Sequence, residues 1–150
     1  GVVSMKTAAE VLRNKAHAYV YSVDREDSLL DGLRVLAEKG VGALVVLSGG
    51  RLVGIVSERD YVRKVALAER SLLNTKISEI MTSDVISVGP RDSVQYCMEL
   101  MTERRLRHLP VLAEGELIGL LSIGDLVKET IAEQADLIRQ LEQYIRGEIP

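Results

Sequence analysis

The chain contains the stretch Gly54-Ile55-Val56-Ser57-Glu58-Arg59-Asp60, which returns 65 residues later as Gly119-Leu120-Leu121-Ser122-Ile123-Gly124-Asp125. Each copy has the pattern of an apolar strand followed by a helix start, because Ser and Asp three residues apart can form a capping box. The similarity extends outward, since residues 20–62 align without a gap on residues 85–127. The repeat predicts one supersecondary unit that occurs twice, with two copies of any small site that the unit carries.

Each repeat is predicted to run strand, helix, strand, strand, helix. Asp27-Ser28 and Asp92-Ser93 supply side-chain oxygens that can cap a helix start, and Gly40 marks the end of the first helix. Ser28 and Asp31 also have capping-box spacing. The hairpin strands are almost continuously apolar, which predicts burial on both faces. The predicted strands are 20–23, 43–47, 52–56, 85–88, 109–112 and 117–121, and the last helix of each repeat is expected at about 58–68 and from 123 onward.

The composition is that of an ordinary globular protein, with 150 residues of which 47% are hydrophobic and 27% are charged. A net charge of −3 argues against a surface built for nucleic acid. The sequence has neither an apolar run of the roughly 20 residues that a membrane span needs nor the pattern of a signal peptide. The single cysteine, Cys97, cannot form an intrachain disulfide, which fits a reducing compartment. We therefore expect a cytoplasmic protein without a membrane partner.

Short arms precede the repeats. Ala9-Glu10-Val11-Leu12 resembles Ser78-Glu79-Ile80-Met81 at an offset of 69, so the first copy carries four extra residues between Arg13 and Tyr19. Residues 69–76 are too few and too ordinary in composition for a flexible linker, so the two halves are expected to pack as one body. The predicted ranges are a first repeat with its arm at 6–68, a second at 77–130, and a C-terminal helical extension at 131–147.

On these residues the chain resembles a CBS-domain pair, also called a Bateman module, of the kind found as small stand-alone proteins in bacteria and plant organelles. The two heptapeptides carry the resemblance, supported by Glu79-Ile80-Met81-Thr82 and by Arg107-His108-Leu109-Pro110-Val111. It implies an α/β fold in which two tandem β-α-β-β-α repeats pack as one pseudo-symmetric module. It also implies adenine-nucleotide ligands (AMP, ATP or NAD), a homodimer, and regulation of another protein.

The resemblance implies two composite nucleotide sites, each built from both repeats. In the family the Ser and Asp of the heptapeptide contact ribose and phosphate, and the other repeat supplies the early strand and mid-strand. Site A then has three cationic side chains, whereas site B has none and suits a monophosphate or an uncharged group. Site A joins Ser57, Arg59 and Asp60 to Ser87, Arg107, His108 and Pro110, and site B joins Ser122 and Asp125 to Ser22, Gly42, Ala43 and Leu44.

Simpler interpretations remain open beside the nucleotide sites. The heptapeptides can be helix caps alone, and Arg104 fits a solvated helix end better than a ligand contact. Cys97 has the spacing of a core residue, and the two histidines, His17 and His108, lack metal-ligand spacing. No nucleophile, base and orienting group converge, so an enzyme is not expected. The alternative function is a constitutive dimeric scaffold whose nucleotide sites are vestigial.

The C-terminal segment carries a stripe with heptad-like spacing, apolar at every position but Gln134. It can either fold back on the chain's own core or help to lock a dimer, and two heptads are too few to decide between these from sequence. The stripe consists of Val127, Ile131, Gln134, Ile138, Leu141 and Ile145.

Overall fold

The computed structural model describes residues 6–15 and 19–147, and its secondary structure is mixed α/β, as predicted. The helices are α1 (Ala8–Asn14), α2 (Leu29–Lys39), α3 (Glu58–Asp60), α4 (Val94–Arg104) and α5 (Ile123–Ile145). The strands are β1 (Ser22–Asp24), β2 (Ala43–Ser48), β3 (Arg51–Ser57), β4 (His108–Ala113) and β5 (Glu116–Ser122). A π-helical segment spans Tyr61–Ala66, and a 3₁₀ turn spans Ile77–Glu79.

The contacts group the chain into two compact units, one of residues 19–87 and one of residues 88–147 with the described residues before 19. We call residues 6–15 the first arm and residues 77–82 the second arm. The predicted ranges join each arm to the repeat that follows it in sequence. The contacts instead group the first arm with the second repeat and the second arm with the first repeat. The Ala8 N–H donates to the Asp92 carbonyl at 2.8 Å, and the Ile77 N–H donates to the Asp27 carbonyl at 2.8 Å. Each arm thus supplies backbone groups to the residues just before a helix start.

The unit of residues 19–87 contains a three-stranded sheet in the order β1-β2-β3, with β1 parallel and β3 antiparallel to β2. As predicted, Ser28 caps α2, accepting the Asp31 N–H at 3.1 Å, and Gly40 ends the helix in the left-handed conformation. The reciprocal half of the predicted capping box, a bond from the Ser28 N–H to the Asp31 side chain, is not among the bonds of this cap. The core packs α2 and the sheet around Leu29, Leu36, Leu44, Val46, Val56 and Ile77.

Two predicted elements differ in this unit. The helix expected at 58–68 is one α-turn followed by the π-helical segment, in which the Leu67 N–H donates to the Val62 carbonyl at 3.2 Å. The wider turn accompanies a buried Tyr61, whose hydroxyl donates to the Leu29 carbonyl at 2.6 Å. β2 is buried over Ala43–Val46 as predicted, but β3 is fully buried only at Gly54 and Val56. Two-sided burial was therefore the wrong prediction for β3.

The unit that contains the second repeat has a two-stranded sheet, the β4-β5 hairpin. Its register shifts between Val111 and Leu112, the positions that correspond to the shift between Val46 and Leu47 in the first repeat. The strand predicted at 85–88 is only a single parallel bridge between Val88 and Val111. The boundary between the two units falls in this segment, between Ser87 and Val88.

Candidate functional site

The first heptapeptide ends in a complete capping box at the start of α3. The Ser57 N–H donates to Asp60 Oδ2 at 2.8 Å, and the Asp60 N–H donates to Ser57 Oγ at 3.3 Å. The Ser57 hydroxyl also donates to Asp60 Oδ2 at 3.1 Å. Lys64 Nζ lies 3.1 Å from the other carboxylate oxygen, Asp60 Oδ1, and donates to the Ile80 carbonyl at 2.9 Å. The carboxylate therefore caps the helix and pairs with a lysine one turn further along.

The second heptapeptide forms the same capping box at the start of α5. The Ser122 N–H donates to Asp125 Oδ2 at 2.8 Å, and the Asp125 N–H donates to Ser122 Oγ at 3.1 Å. Its lysine comes from the first arm, where Lys15 Nζ lies 2.9 Å from Asp125 Oδ2 and donates to the Leu120 carbonyl at 2.9 Å. Burial raises the pKa of Asp125, but the hydrogen bonds from Lys15 and Ser122 outweigh it and hold the pKa below its usual value.

The glycines that begin the two heptapeptides lie where the arms pack. A Cβ atom on Gly54 would lie 2.5 Å from Met81 Sδ and 3.0 Å from the Thr82 carbonyl oxygen. A Cβ atom on Gly119 would lie 2.6 Å from the two terminal carbons of Leu12. Met81 and Leu12 correspond to each other in the aligned arms. The arms therefore approach the backbone closely at both glycines.

In each repeat the second strand, β2 or β4, begins beside the capping box of the heptapeptide. β4 pairs His108 with Ser122, and the Ile123 N–H donates to the Arg107 carbonyl at 2.9 Å. β2 pairs Ala43 with Ser57, and the Glu58 N–H donates to the Gly42 carbonyl at 3.0 Å. The backbone is thus equivalent in the two repeats, while the side chains are Arg107 and His108 in the second and the small Gly42 and Ala43 in the first.

His108 lies within the electrostatic influence of the second cap. Burial lowers the pKa of its imidazole, Asp125 opposes that effect, and the positive charges of Lys15 and Arg107 add to it. The side chain of Arg107 is exposed, as is that of Arg59 next to the first cap. Lys15 and Arg107 are thus the positive charges that act on His108 beside the second cap.

The sequence profile of the CBS domain matches residues 8–67 and 77–132. The chain belongs to the CBS domain family. Both heptapeptides therefore lie in matched CBS repeats, and the predicted resemblance is confirmed. CBS-domain pairs are typically regulatory, ligand-sensing modules, and CBS domains commonly bind adenine nucleotides.

Similar proteins include small CBS-domain proteins from plants and bacteria. The mitochondrial CBS domain-containing protein CBSX3 of Arabidopsis thaliana is 39% identical over 127 residues, which are 81% of this chain. A CBS-domain protein structure from Burkholderia ambifaria is 52% identical with a TM-score of 0.82, covering 86% of this chain and 96% of that one. A hexameric CBS-CP12 protein from bloom-forming cyanobacteria is 26% identical with a TM-score of 0.74, covering 82% and 67%. Oligomers therefore occur among the relatives.

The chain spans 62% of the plant relative and only 41% and 21% of two further curated relatives. Among the residues that the structure describes, no helix is long and apolar enough to cross a membrane. The cytoplasmic location stays a prediction.

The predicted site residues divide between the two units. Ser22 and Ser87 are exposed, whereas Ala43, Leu44 and Pro110 are buried. The composite CBS sites A and B each draw on both units and stay predictions. Residues 19–87 contain Ser22, Gly42, Ala43, Leu44, Ser57, Arg59, Asp60 and Ser87, and residues 88–147 contain Arg107, His108, Pro110, Ser122 and Asp125.

Sequence reasoning missed the two lysines that pair with the cap carboxylates. Lys64 follows Asp60 by four residues, which is a recognisable ion-pair spacing on a helix. Lys15 is far from Asp125 in sequence, and the only signal was that four extra residues lie somewhere between Arg13 and Tyr19, the stretch that contains Lys15. An insertion that interrupts an otherwise regular repeat was therefore the clue to an unequal site.

Cys97 is buried in the core as predicted, and burial raises the pKa of its thiol to about 11. Within residues 6–15 and 19–147 no group of three or more His, Cys, Asp or Glu side chains could hold a metal ion. His17 lies outside the described residues.

Proposed function

We propose that this CBS pair is a non-catalytic regulatory module that binds an adenine nucleotide and signals its presence to a partner protein. The observation that carries the proposal is the duplicated cap, in which Ser57 with Asp60 and Ser122 with Asp125 adopt one hydrogen-bonding arrangement. A carboxylate held by its own helix start is preorganised to accept the two hydroxyls of a ribose. AMP, ATP and NAD all contain that group.

Ligand binding at either carboxylate must compete with a lysine. The side chains of Asp60 and Asp125 are 14% and 20% exposed, so solvent reaches both carboxylates although each is paired with a lysine. A ribose diol can replace the lysine ammonium group, because both donate hydrogen bonds to the same oxygens. We propose that this exchange frees Lys15 or Lys64 from the carboxylate and alters how the arm beside it is held.

Calorimetric titration with AMP, ATP and NAD tests the nucleotide sites. Asp60→Asn and Asp125→Asn are each expected to abolish one binding event and to leave the other unchanged. Ser28, which caps α2 outside both heptapeptides, supplies the control through Ser28→Ala. That change should cost about 1 kcal/mol of stability and leave nucleotide affinity as it was. If both Asp variants bind every nucleotide like the wild type, the carboxylates serve only as caps.

The proposed sites differ in the number of phosphates that they accept. Site A contains Arg59, Arg107 and His108, whereas Gly42 and Gly124 stand at two of the matching positions of site B. A charge-assisted hydrogen bond contributes roughly 1.5–3 kcal/mol, so Arg107→Ala should weaken ATP binding about ten- to a hundredfold. Adenosine, which lacks the phosphates, should lose little affinity. Equal losses for ATP and adenosine would contradict a phosphate contact.

A constitutive dimeric scaffold is the second candidate. It is favoured by the fact that the chain itself supplies both carboxylates with complete cap bonds and a lysine partner. We propose a homodimer under either function. If the protein is a scaffold, calorimetry should show no heat of binding with any of the nucleotides. Catalysis is tested separately, by chromatographic analysis of the nucleotides after long incubation.

A further inference from the structure

α5 presents an apolar face that its own chain leaves uncovered. Val127, Ile131, Ile138, Leu141 and Ile145 are between 42% and 82% exposed. The alternative in which this stripe folds back on the chain's own core was therefore wrong. The C-terminal extension expected at 131–147 is continuous with the last helix of the repeat, which runs to Ile145.

A different face of α5 packs against its own unit. Leu126 is fully buried, Glu129 is 8% exposed, and Glu129 forms an ion pair with Lys6 of the first arm. Beyond Asp136 every described residue of the helix is exposed. A helical segment of this length is marginal in water without lateral packing, since most helical stability comes from burying an apolar face. The stripe therefore calls for a partner.

We propose that the stripe is covered by α5 of a second copy of this chain, running antiparallel to it. The stripe alternates spacings of four and three, which places Ile131, Ile138 and Ile145 at one core position of a heptad and the other members at the second. In an antiparallel pair these two positions face each other across the seam. One alignment uses all six residues, facing Val127 with Ile145, Ile131 with Leu141, and Gln134 with Ile138 of the second copy.

The flanking charges favour this orientation over a parallel one. One edge of the stripe carries Lys128, Ala135 and Glu142, and the other carries Thr130, Leu137 and Tyr144. Antiparallel helices bring like edges together, so Lys128 faces Glu142 of the second copy twice by symmetry, and Leu137 faces its own counterpart. Parallel helices bring unlike edges together, which sets Glu142 against Leu137. Flanking positions set partner and orientation in paired helices, so the sequence selects the antiparallel pair.

Light scattering after size exclusion tests the surface without any nucleotide, so the result is independent of the nucleotide-binding proposal. The wild type should elute at twice its chain mass of 16.5 kDa. Ile138→Glu combined with Leu141→Glu should raise the dissociation constant at least a hundredfold. Gln140→Glu with Gln143→Glu adds the same charge to exposed positions off the stripe and should leave the dimer intact. A monomeric wild type, or a stripe variant as dimeric as that control, would overturn the proposal.

A charge exchange tests the antiparallel register. Lys128→Glu and Glu142→Lys should each raise the dissociation constant about tenfold, and the double exchange should restore it. Within one helix the two positions are about 21 Å apart, so restoration can arise only between copies. Melting curves should show that all three variants stay folded, because both side chains are exposed. A double variant with the combined loss of the two single variants would rule out this register.

Discussion

The two CBS repeats hold the same aspartate in the same cap but pair it with lysines of different origin. Asp60 pairs with Lys64 on its own helical segment, whereas Asp125 pairs with Lys15 of the first arm. The first lysine is 45% exposed and the second 21% exposed. The lesson is that gene duplication preserved the backbone of the cap while the surroundings of its carboxylate diverged. Small differences in the arms thus make two similar sites unequal.

The largest expected difference between the repeats is at the glycines packed against the arms. Gly54→Ala should destabilise the protein by about 2–3 kcal/mol, because the new methyl group would crowd both Met81 and the Thr82 backbone. Gly119→Ala should cost only about 1 kcal/mol, since the flexible Leu12 side chain can move aside. Urea unfolding measures both changes. Gly124→Ala meets only an ordinary contact and serves as the control, and equal losses at Gly54 and Gly119 would contradict the comparison.

The next difference concerns the two lysines. Lys15→Met should cost about 1–2 kcal/mol, because Lys15 donates charge-assisted bonds to Asp125 and to Leu120 in a half-buried place. Lys64→Met should cost about 0.5 kcal/mol, as is usual for an exposed pair one helical turn apart. Thermal melts of both variants make the comparison. If Lys64→Met lost more stability than Lys15→Met, the burial of the lysine would not decide how much its ion pair stabilises the protein.

The helices α2 and α4 end in the same left-handed backbone conformation, but with different residues at that position. Gly40 has φ 63° and Arg105 has φ 55°, and left-handed backbone is unfavourable for a residue with a side chain. Arg105→Gly should therefore stabilise the protein by about 1 kcal/mol, and Gly40→Arg should destabilise it by a similar amount. Urea denaturation detects both. A stability loss in Arg105→Gly would mean that the arginine side chain makes a compensating contact.

The smallest expected effect is a pH dependence that only the second repeat carries. Because burial lowers the pKa of His108, the folded state resists its protonation more than the unfolded chain does. The stability from this residue should be complete above the usual histidine pKa of about 6.5 and fall as the pH drops below it. His108→Gln should flatten that part of the profile. The melting temperatures of the wild type and of His108→Gln, measured from pH 8 to 5, test this. If the two profiles run parallel, His108 does not contribute to the pH dependence.

Local sequence signals predicted the local structure well. Ser28 and Ser93 cap their helices, Gly40 ends one, and both heptapeptides form capping boxes, because each feature depends on residues a few positions apart. Long-range contacts were less accessible. The arms pack on the repeats that they do not precede, and Lys15 reaches Asp125 from the far end of the sequence. The second copy of the first strand is reduced to a single bridge at Val88, although its letters align with those of the first copy.

The central claim is that the paired caps are nucleotide sites, and thermal melting with nucleotide present tests it most directly. The wild type should be scanned with AMP, ATP and NAD at millimolar concentration, beside the double variant Asp60→Asn with Asp125→Asn. A ligand at 100 times its dissociation constant adds about 2.7 kcal/mol of stability, so the wild type should melt several degrees higher with at least one nucleotide. The double variant should show no shift. A wild type that melts at the same temperature with and without every nucleotide would contradict the claim and leave the scaffold in its place.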